Sequence, residues 1–454
     1  MQPSIKKPWD NGILKVTENR RYLTNGDKPF FWLGDTAWLL FQNLNLEQCY
    51  TYLKNRVEKG FNVIQATLVH TLPGADLDAN SLPVNRNNIR CALVGRDFAQ
   101  PDIEGGFWDH VDAVVSMAED LGIYMGLLPA WGAMAKQGLL NEENAEAYGR
   151  FLAERYGSRR NVIWLIGGDV RGSDAPEVFE LLARTIKKAA PNQIMGYHPF
   201  GRTSSSLWFD SADWLDFNMY QSGHRRYDQK SLGAWDDNAG AEDWFGEDSW
   251  RYVKRDYSAK TKRPTIDGEP SYEQIPQGLH DPRQPYWQDY DVRRYAWWSV
   301  LEGAFGHTYG HNAIMQFHQE GDSGGSYGVN AYWHEAIHAP GAGQMQHMVN
   351  FMSSLDFTTG VAAENLLTNP RTGYTRVSAF SGNDFAVFYT YMGYGFGVNL
   401  PELGWDSADF WWFDPALGVM SYAGKLECEQ AEYLYPPKKP FGHNDWILLL
   451  KKSV

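Results

Sequence analysis

Two carboxylates stand where short apolar runs stop. Asp169 follows Val162-Ile-Trp-Leu-Ile166 and the glycine pair Gly167-Gly168. Glu269 follows Pro264-Thr-Ile266, Asp267 and Gly268, and Pro270 comes next, so the backbone there cannot continue a sheet ladder. An acid at the mouth of a buried strand is how a parallel barrel presents a reacting group. Two of them across one mouth are the minimum equipment for glycoside hydrolysis. One protonates the leaving oxygen, and the other attacks or stabilises the oxocarbenium-like centre. Taken singly, either acid is equally well a rim ion pair or a solvated turn residue.

The other strand ends supply acids, imidazoles and aromatics. In chain order they are Asp35, Gln65, Trp131, Asp169, His198, Tyr220, Glu269 and His307, with no lysine for a Schiff base. Trp131 is expected as a stacking floor for a sugar ring. His198, Tyr220 and His307 are expected to hydrogen-bond hydroxyls or to set carboxyl ionisation. Asp35 is expected to grip a sugar diol. Trp38, Gln221 and Tyr309, beside these ends, complete the substrate-binding set.

Three further patterns point elsewhere and carry less. His334-Glu-Ala-Ile-His338 matches the zinc-protease helix, with two imidazoles one turn apart and a base between them. Pro340, Gly341 and Gly343 follow at once, which ends such a helix within a turn. His307-Thr-Tyr-Gly-His311 repeats the histidine spacing without the glutamate. Gly321-Asp-Ser-Gly-Gly325 lacks a following helix with a lysine, as a phosphate cradle requires. No metal and no cofactor is therefore expected.

The elements that must position these residues repeat as strand then helix. Expected strands cover Phe30–Leu33, Phe61–Ile64, Ile123–Leu128, Val162–Ile166, Gln193–Tyr197, Trp214–Met219, Pro264–Ile266 and Ala304–Tyr309. Helical spacing covers Leu46–Lys59, Trp108–Leu121, Asn144–Tyr156, Pro176–Ala189, Trp250–Tyr257, Asp291–Glu302 and Gly343–Leu355. Near-continuous apolar strands suit a parallel sheet covered on both faces. Eight such units predict an α/β fold, a (β/α)8 TIM barrel over residues 1–357. An antiparallel strand over Leu14–Tyr22 and a hairpin turn at Asn25-Gly-Asp27 precede it. Two long loops, Val69–Phe107 and Asn312–His338, are expected to shape the cleft. Short strands at Gly373–Ala379, Phe385–Tyr391 and Trp446–Leu450 predict a small antiparallel β-sandwich over residues 358–454.

Composition narrows the partners. The 454 residues include 19 Trp, 25 Tyr and 23 Phe, and aromatic faces stack on the apolar faces of sugars. The formal net charge is -14, with no run of Lys or Arg, which argues against nucleic acid. No apolar run is long enough to span a bilayer. Cys49, Cys91 and Cys428 form neither a metal spacing nor a disulfide framework. Met1 to Asp10 is polar and reads as no leader.

Three stretches carry a family resemblance: Asn25-Gly-Asp-Lys-Pro-Phe-Phe-Trp-Leu-Gly-Asp-Thr-Ala-Trp38, Ile163-Trp-Leu-Ile-Gly-Gly-Asp169 and Ile266-Asp-Gly-Glu-Pro-Ser-Tyr272. Together they resemble the apiosidase-like glycoside hydrolases, akin to glycoside hydrolase family 140. The end of the chain, with Tyr435-Pro-Pro437 and Asn444-Asp-Trp446, resembles the collagen-binding-type β domain that often follows. The resemblance implies a retaining enzyme with Asp169 as acid/base and Glu269 as nucleophile. Related barrels of the wider clan carry Asn-Glu at the fourth strand, whereas this chain has Gly168-Asp169. It implies an oligosaccharide or polysaccharide substrate of plant type, pectic and apiose-containing glycans among the candidates. A periplasmic or secreted location follows from the resemblance alone, beside a cytoplasmic one. A carbohydrate-binding protein without catalysis, and more remotely a zinc protease, are the alternatives.

Overall fold

The computed structural model describes residues 6–72, 92–230, 245–322 and 324–453. Part of the expected loop Val69–Phe107, including Cys91, lies outside the described residues, as does Ser323 of the glycine-rich stretch.

A small antiparallel sheet comes first: β1 (Leu14–Val16), β2 (Leu23–Asn25) and β3 (Lys28–Phe30). The single strand expected over Leu14–Tyr22 is interrupted, because Arg20 takes a left-handed φ of 57° and the Thr17 N–H donates to the Tyr22 carbonyl. Gly26, at φ 56°, turns β2 into β3.

Eight parallel strands follow: β4 (Trp32–Thr36), β5 (Val63–Val69), β6 (Tyr124–Ala130), β7 (Val162–Val170), β8 (Met195–Pro199), β9 (Asn218–Tyr220), β10 (Thr265–Asp267) and β11 (Gly306–Tyr309). Six form one curled sheet in the order β11-β4-β5-β6-β7-β8, and β9 pairs with β10 in a second. Between the two sheets, the Asp216 N–H donates to the Met195 carbonyl (2.9 Å), and the Phe305 N–H to the Thr265 carbonyl (3.1 Å).

Side chains alternate across these strands as the two-residue period demands. Val63, Leu128, Ile163, Leu165, Met219 and Ile266 join Trp32 in one buried cluster. Ile64, Met125, Trp164 and Met195 face the other way and pack on helix residues such as Leu53, Val111, Leu152 and Phe179. Helix Leu46–Glu58 starts where expected. Asn45 and Gln48 satisfy each other's backbone N–H groups there, at 2.9 and 3.0 Å.

The last strands are β12 (Val361–Ala362), β13 (Val377–Ser381), β14 (Phe385–Thr390), β15 (Phe396–Val398), β16 (Ser407–Asp414), β17 (Val419–Glu427), β18 (Glu432–Leu434) and β19 (Trp446–Lys452). Six make an antiparallel sheet in the order β12-β13-β14-β19-β16-β17, and β15 pairs with β18. The stretch from Gly373 opens as a 3-10 turn rather than a strand, with Gly373 at φ 53°.

The central strands of this sheet, β14 and β19, are apolar on both faces, and each face has its own partner. Phe385, Val387, Tyr389, Ile447 and Leu449 join the cluster that holds Trp297 and Phe351 of the parallel-sheet helices. Ala386, Phe388, Leu448 and Leu450 alternate with them and pack under Phe396 and Val398 of β15. In the aromatic run of β16, Phe413 meets Phe351 at 4.8 Å and Trp412 is buried with the outer cluster. Arg293 of helix Asp289–Val300 forks onto Asp445 at 2.9 and 3.0 Å, tying the two parts together in a buried ion pair. Among the described residues, no helix is long and apolar enough to cross a membrane.

Candidate active site

The end of β7 is not a regular strand. Gly167, Gly168 and Asp169 all have positive φ, at 88°, 113° and 53°, and the register against β8 shifts between Gly167 and Val170. This is a bulge, and bulges re-aim side chains. Only glycine fits its first two positions. A Cβ at Gly167 would sit 2.5 Å from the His198 carbonyl oxygen, and one at Gly168 would sit 2.9 Å from the Gly132 nitrogen. The bulge delivers Asp169 to a cleft of about 200 Å³.

Glu269 reaches the same cleft from the end of β10. Its predecessor Gly268 is pinned twice. The Gly268 N–H donates to the Tyr220 carbonyl (2.8 Å), and its carbonyl accepts from Gln65 Nε2 (2.9 Å). Gln65 lies inside β5 rather than at its end, so it serves as a tie between β5 and the β10 end.

Aromatic groups wall one side. Trp38 packs against Trp131 at 5.3 Å and edge-on to His198 at 5.1 Å, and His70 lies 4.9 Å from Trp131. Trp38 Nε1 donates to the Tyr272 hydroxyl at 3.2 Å. Trp131 remains partly exposed, as a surface for a sugar ring must be.

The two acids experience opposite fields. Burial and the nearby Glu269 charge push the Asp169 carboxyl well above its usual range, against the opposing pull of Gln221, Arg225 and the Gly201 N–H. Burial also acts to raise Glu269, but the flanking imidazoles of His198 and His224 overcome it, holding that carboxyl below its usual range. His224 Nε2 lies 3.2 Å from Oε1. His198 Nε2 lies 3.2 Å from Oε2, in an alignment too bent for a well-formed hydrogen bond, so both atoms keep bonding capacity. The attraction between them depends on distance and persists. Such a divided pair can hold one proton ready for a leaving oxygen beside an ionised oxygen able to attack carbon.

Of the residues expected in the substrate-binding set, Trp38, Trp131 and Gln221 line this cleft and His198 stands directly behind Glu269. Four others belong to the layer between strands and helices. Asp35 is 0% exposed and bound by Arg56 Nε (2.5 Å) and the Tyr52 hydroxyl (2.6 Å), both from helix Leu46–Glu58. It therefore cannot grip a sugar diol. Tyr220 stacks on Tyr252 at 5.2 Å, Tyr309 donates to Glu273 at 2.6 Å, and His307 is buried on the same strand face as Tyr309. The physical reason is shared. β4 runs on to Thr36, and in each strand the alternate residue, not the one singled out, faces inward.

Among the cleft residues that escaped the strand-end argument are His70, His224, Tyr272 and Tyr327. His224 and Tyr272 each lie three residues beyond an expected site residue, Gln221 and Glu269. Loop residues so close to a strand end were the available signal. The loop expected over Asn312–His338 does reach the cleft, through Gln316, Ser326 and Tyr327. The metal-like pair His334 and His338 lies elsewhere. Its helix, Trp333–Ala336, ends before His338, and both imidazoles are exposed.

Comparison with known proteins places the chain in a family. Residues 17–359 match the family model described as "Apiosidase-like, catalytic domain", and residues 361–451 match "Putative collagen-binding domain of a collagenase". A structure titled "Glycoside hydrolase" is 39% identical with a TM-score of 0.90, covering 99% of this chain and 98% of its own. A glycoside hydrolase family 5 structure from Bacteroides vulgatus is 37% identical with a TM-score of 0.89, covering 98% of this chain and 94% of its own. Among curated proteins, none matches significantly. On this evidence the chain belongs to the apiosidase-like family of glycoside hydrolases.

Proposed function

We propose that this protein hydrolyses a glycosidic bond with retention of configuration, Glu269 acting as nucleophile and Asp169 as general acid and then base. The two parallel sheets are read as one closed eight-stranded barrel, whose mouth carries both acids. The observation that carries the proposal is that Asp169 and Glu269 line one cleft, with an imidazole 3.2 Å from each Glu269 oxygen and, among the described residues, none on Asp169's carboxyl. In the first step Asp169 gives its proton to the leaving oxygen while the Glu269 carboxylate attacks the anomeric carbon. In the second, Asp169 takes a proton from water, which displaces Glu269 from that carbon. Trp131 and Trp38 supply the stacking wall, and Gln221 orients Asp169.

The substrate is a glycan of plant type, with pectic and apiose-containing oligosaccharides first in line, which rests on family likeness. A location outside the cytoplasm fits such a substrate. The antiparallel domain is read as an accessory unit that stabilises the barrel, since its sheet shares the barrel's own cluster. The test is substitution. Glu269→Gln and Asp169→Asn should each lower kcat at least about a hundredfold while circular dichroism stays unchanged. Near-normal turnover of a pectic oligosaccharide by either folded variant removes that residue from the mechanism.

A further inference from the structure

His198 touches both acids at once, and the reaction as written makes no use of its two nitrogens. It stands on β8 and is 0% exposed. Its Nδ1 lies 3.3 Å from the backbone nitrogen of Asp169, a group that can only donate. Nδ1 must therefore be the accepting nitrogen, and the ring proton belongs on Nε2, 3.2 Å from Glu269 Oε2. We propose that His198 is a positioning residue that couples the acid to the nucleophile. It receives the N–H of the Asp169 bulge on one side and holds Nε2–H within 3.2 Å of Glu269 Oε2 on the other, close enough for its positive end to favour the carboxylate. The inference rests on the roles given above to Asp169 and Glu269.

Several features make His198 suited to this. The bulge at Gly167-Gly168 is what turns the Asp169 N–H toward β8, so the strained backbone and the imidazole form one device. Trp38 packs edge-on against the ring and limits its rotation. His224 differs. It serves Oε1 from the segment after β9, but its Nδ1 is buried without a hydrogen-bond partner, so no backbone group selects its tautomer. The other titratable groups facing Glu269 are Asp169 on β7, Asp267 on β10, and Tyr272 and Tyr327 from loops, while Arg225 faces Asp169. None of these bridges the two acids through its own side chain as His198 does.

Two substitutions separate the functions of the ring. In His198→Asn the amide oxygen stands near the place of Nδ1 and can still accept from Asp169, but the shorter side chain loses Glu269. In His198→Gln the amide nitrogen reaches Glu269 and the acceptor for Asp169 is lost. The experiment is NMR on the full chain. Ring ¹⁵N signals report the His198 tautomer, and carboxyl ¹³C titration reports Glu269, assigned by the signal missing from Glu269→Gln. The wild type should show an accepting Nδ1 and a protonated Nε2. The Glu269 midpoint should rise by about one pH unit in His198→Asn and by much less in His198→Gln. A wild-type ring protonated on Nδ1 overturns the proposal, as does a Glu269 midpoint unmoved in His198→Asn. If one variant fails to fold, the other and the wild-type tautomer still decide. Turnover retained in Glu269→Gln or Asp169→Asn would instead remove the catalytic roles and leave the NMR result standing.

Discussion

A carboxylate's role is set by what touches it. Glu269 has imidazoles within 3.2 Å of both oxygens, and Asp169 has an amide, a backbone N–H and a neighbouring negative charge. Asp35 has neither a cleft nor a substrate to face. It is the counter-charge of Arg56, and both side chains are fully buried. Burial pushes the Asp35 carboxyl up, with Arg56 and Tyr52 opposing, so removing its charge leaves an uncompensated guanidinium in a dry site. Asp35→Asn should therefore cost roughly 3–5 kcal/mol of stability, seen as a lower Tm. Its KM should stay at the wild-type value. A raised KM with unchanged Tm would return Asp35 to the binding set.

Elements decide which way each residue faces, and there the bulge of β7 matters most. Gly168→Ala puts a methyl 2.9 Å from the Gly132 nitrogen at φ 113°, a backbone that alanine rarely adopts. The bulge should rearrange and Asp169 should leave the cleft. The expected result is a fall in kcat of more than about tenfold with circular dichroism retained, since bulges act by re-aiming side chains. Normal kcat in a folded Gly168→Ala protein would mean that the bulge does not aim the acid. The same elements show what was legible in the sequence. The strand and helix beat was readable because the parallel strands are near-continuous apolar runs and the helices between them carry apolar residues at helical spacing. That Asp169, Glu269, Trp131 and Gln221 reach one cleft, with His198 beside Glu269, was readable because they follow those runs directly. Asp35, Tyr220, His307 and Tyr309 were misplaced because an all-apolar strand carries no alternation to reveal its phase. Polar residues such as Asp35 and Gln65 inside β4 and β5 also made those strands look shorter than they are. The β16–β17 hairpin was not among the expected strands. Most of β17 is exposed, so its pattern lacks the buried face that marks a strand.

Across the whole molecule, the antiparallel sheet and the parallel-sheet helices share one apolar cluster and are fastened by Arg293 and Asp445. Burial acts to raise Asp445, but Arg293, His443 and Lys439 together hold it far below the usual range. A depressed carboxylate contributes stability above its unfolded pKa and loses it only as pH falls through the lower folded value. The pair should thus persist in mild acid. Asp445→Asn should lower stability by roughly 3–5 kcal/mol at neutral pH and flatten acid unfolding, measured by denaturant titration across pH. An unchanged midpoint would show that the apolar cluster alone joins the two parts. What the assembled molecule does is tested most directly by its stereochemistry. Proton NMR of the reaction at early times, before mutarotation, reads the anomer released first. A Glu269 nucleophile assisted by Asp169 predicts the configuration of the substrate, through a covalent glycosyl-Glu269 intermediate. First appearance of the opposite anomer would contradict that account, even if both acids proved essential.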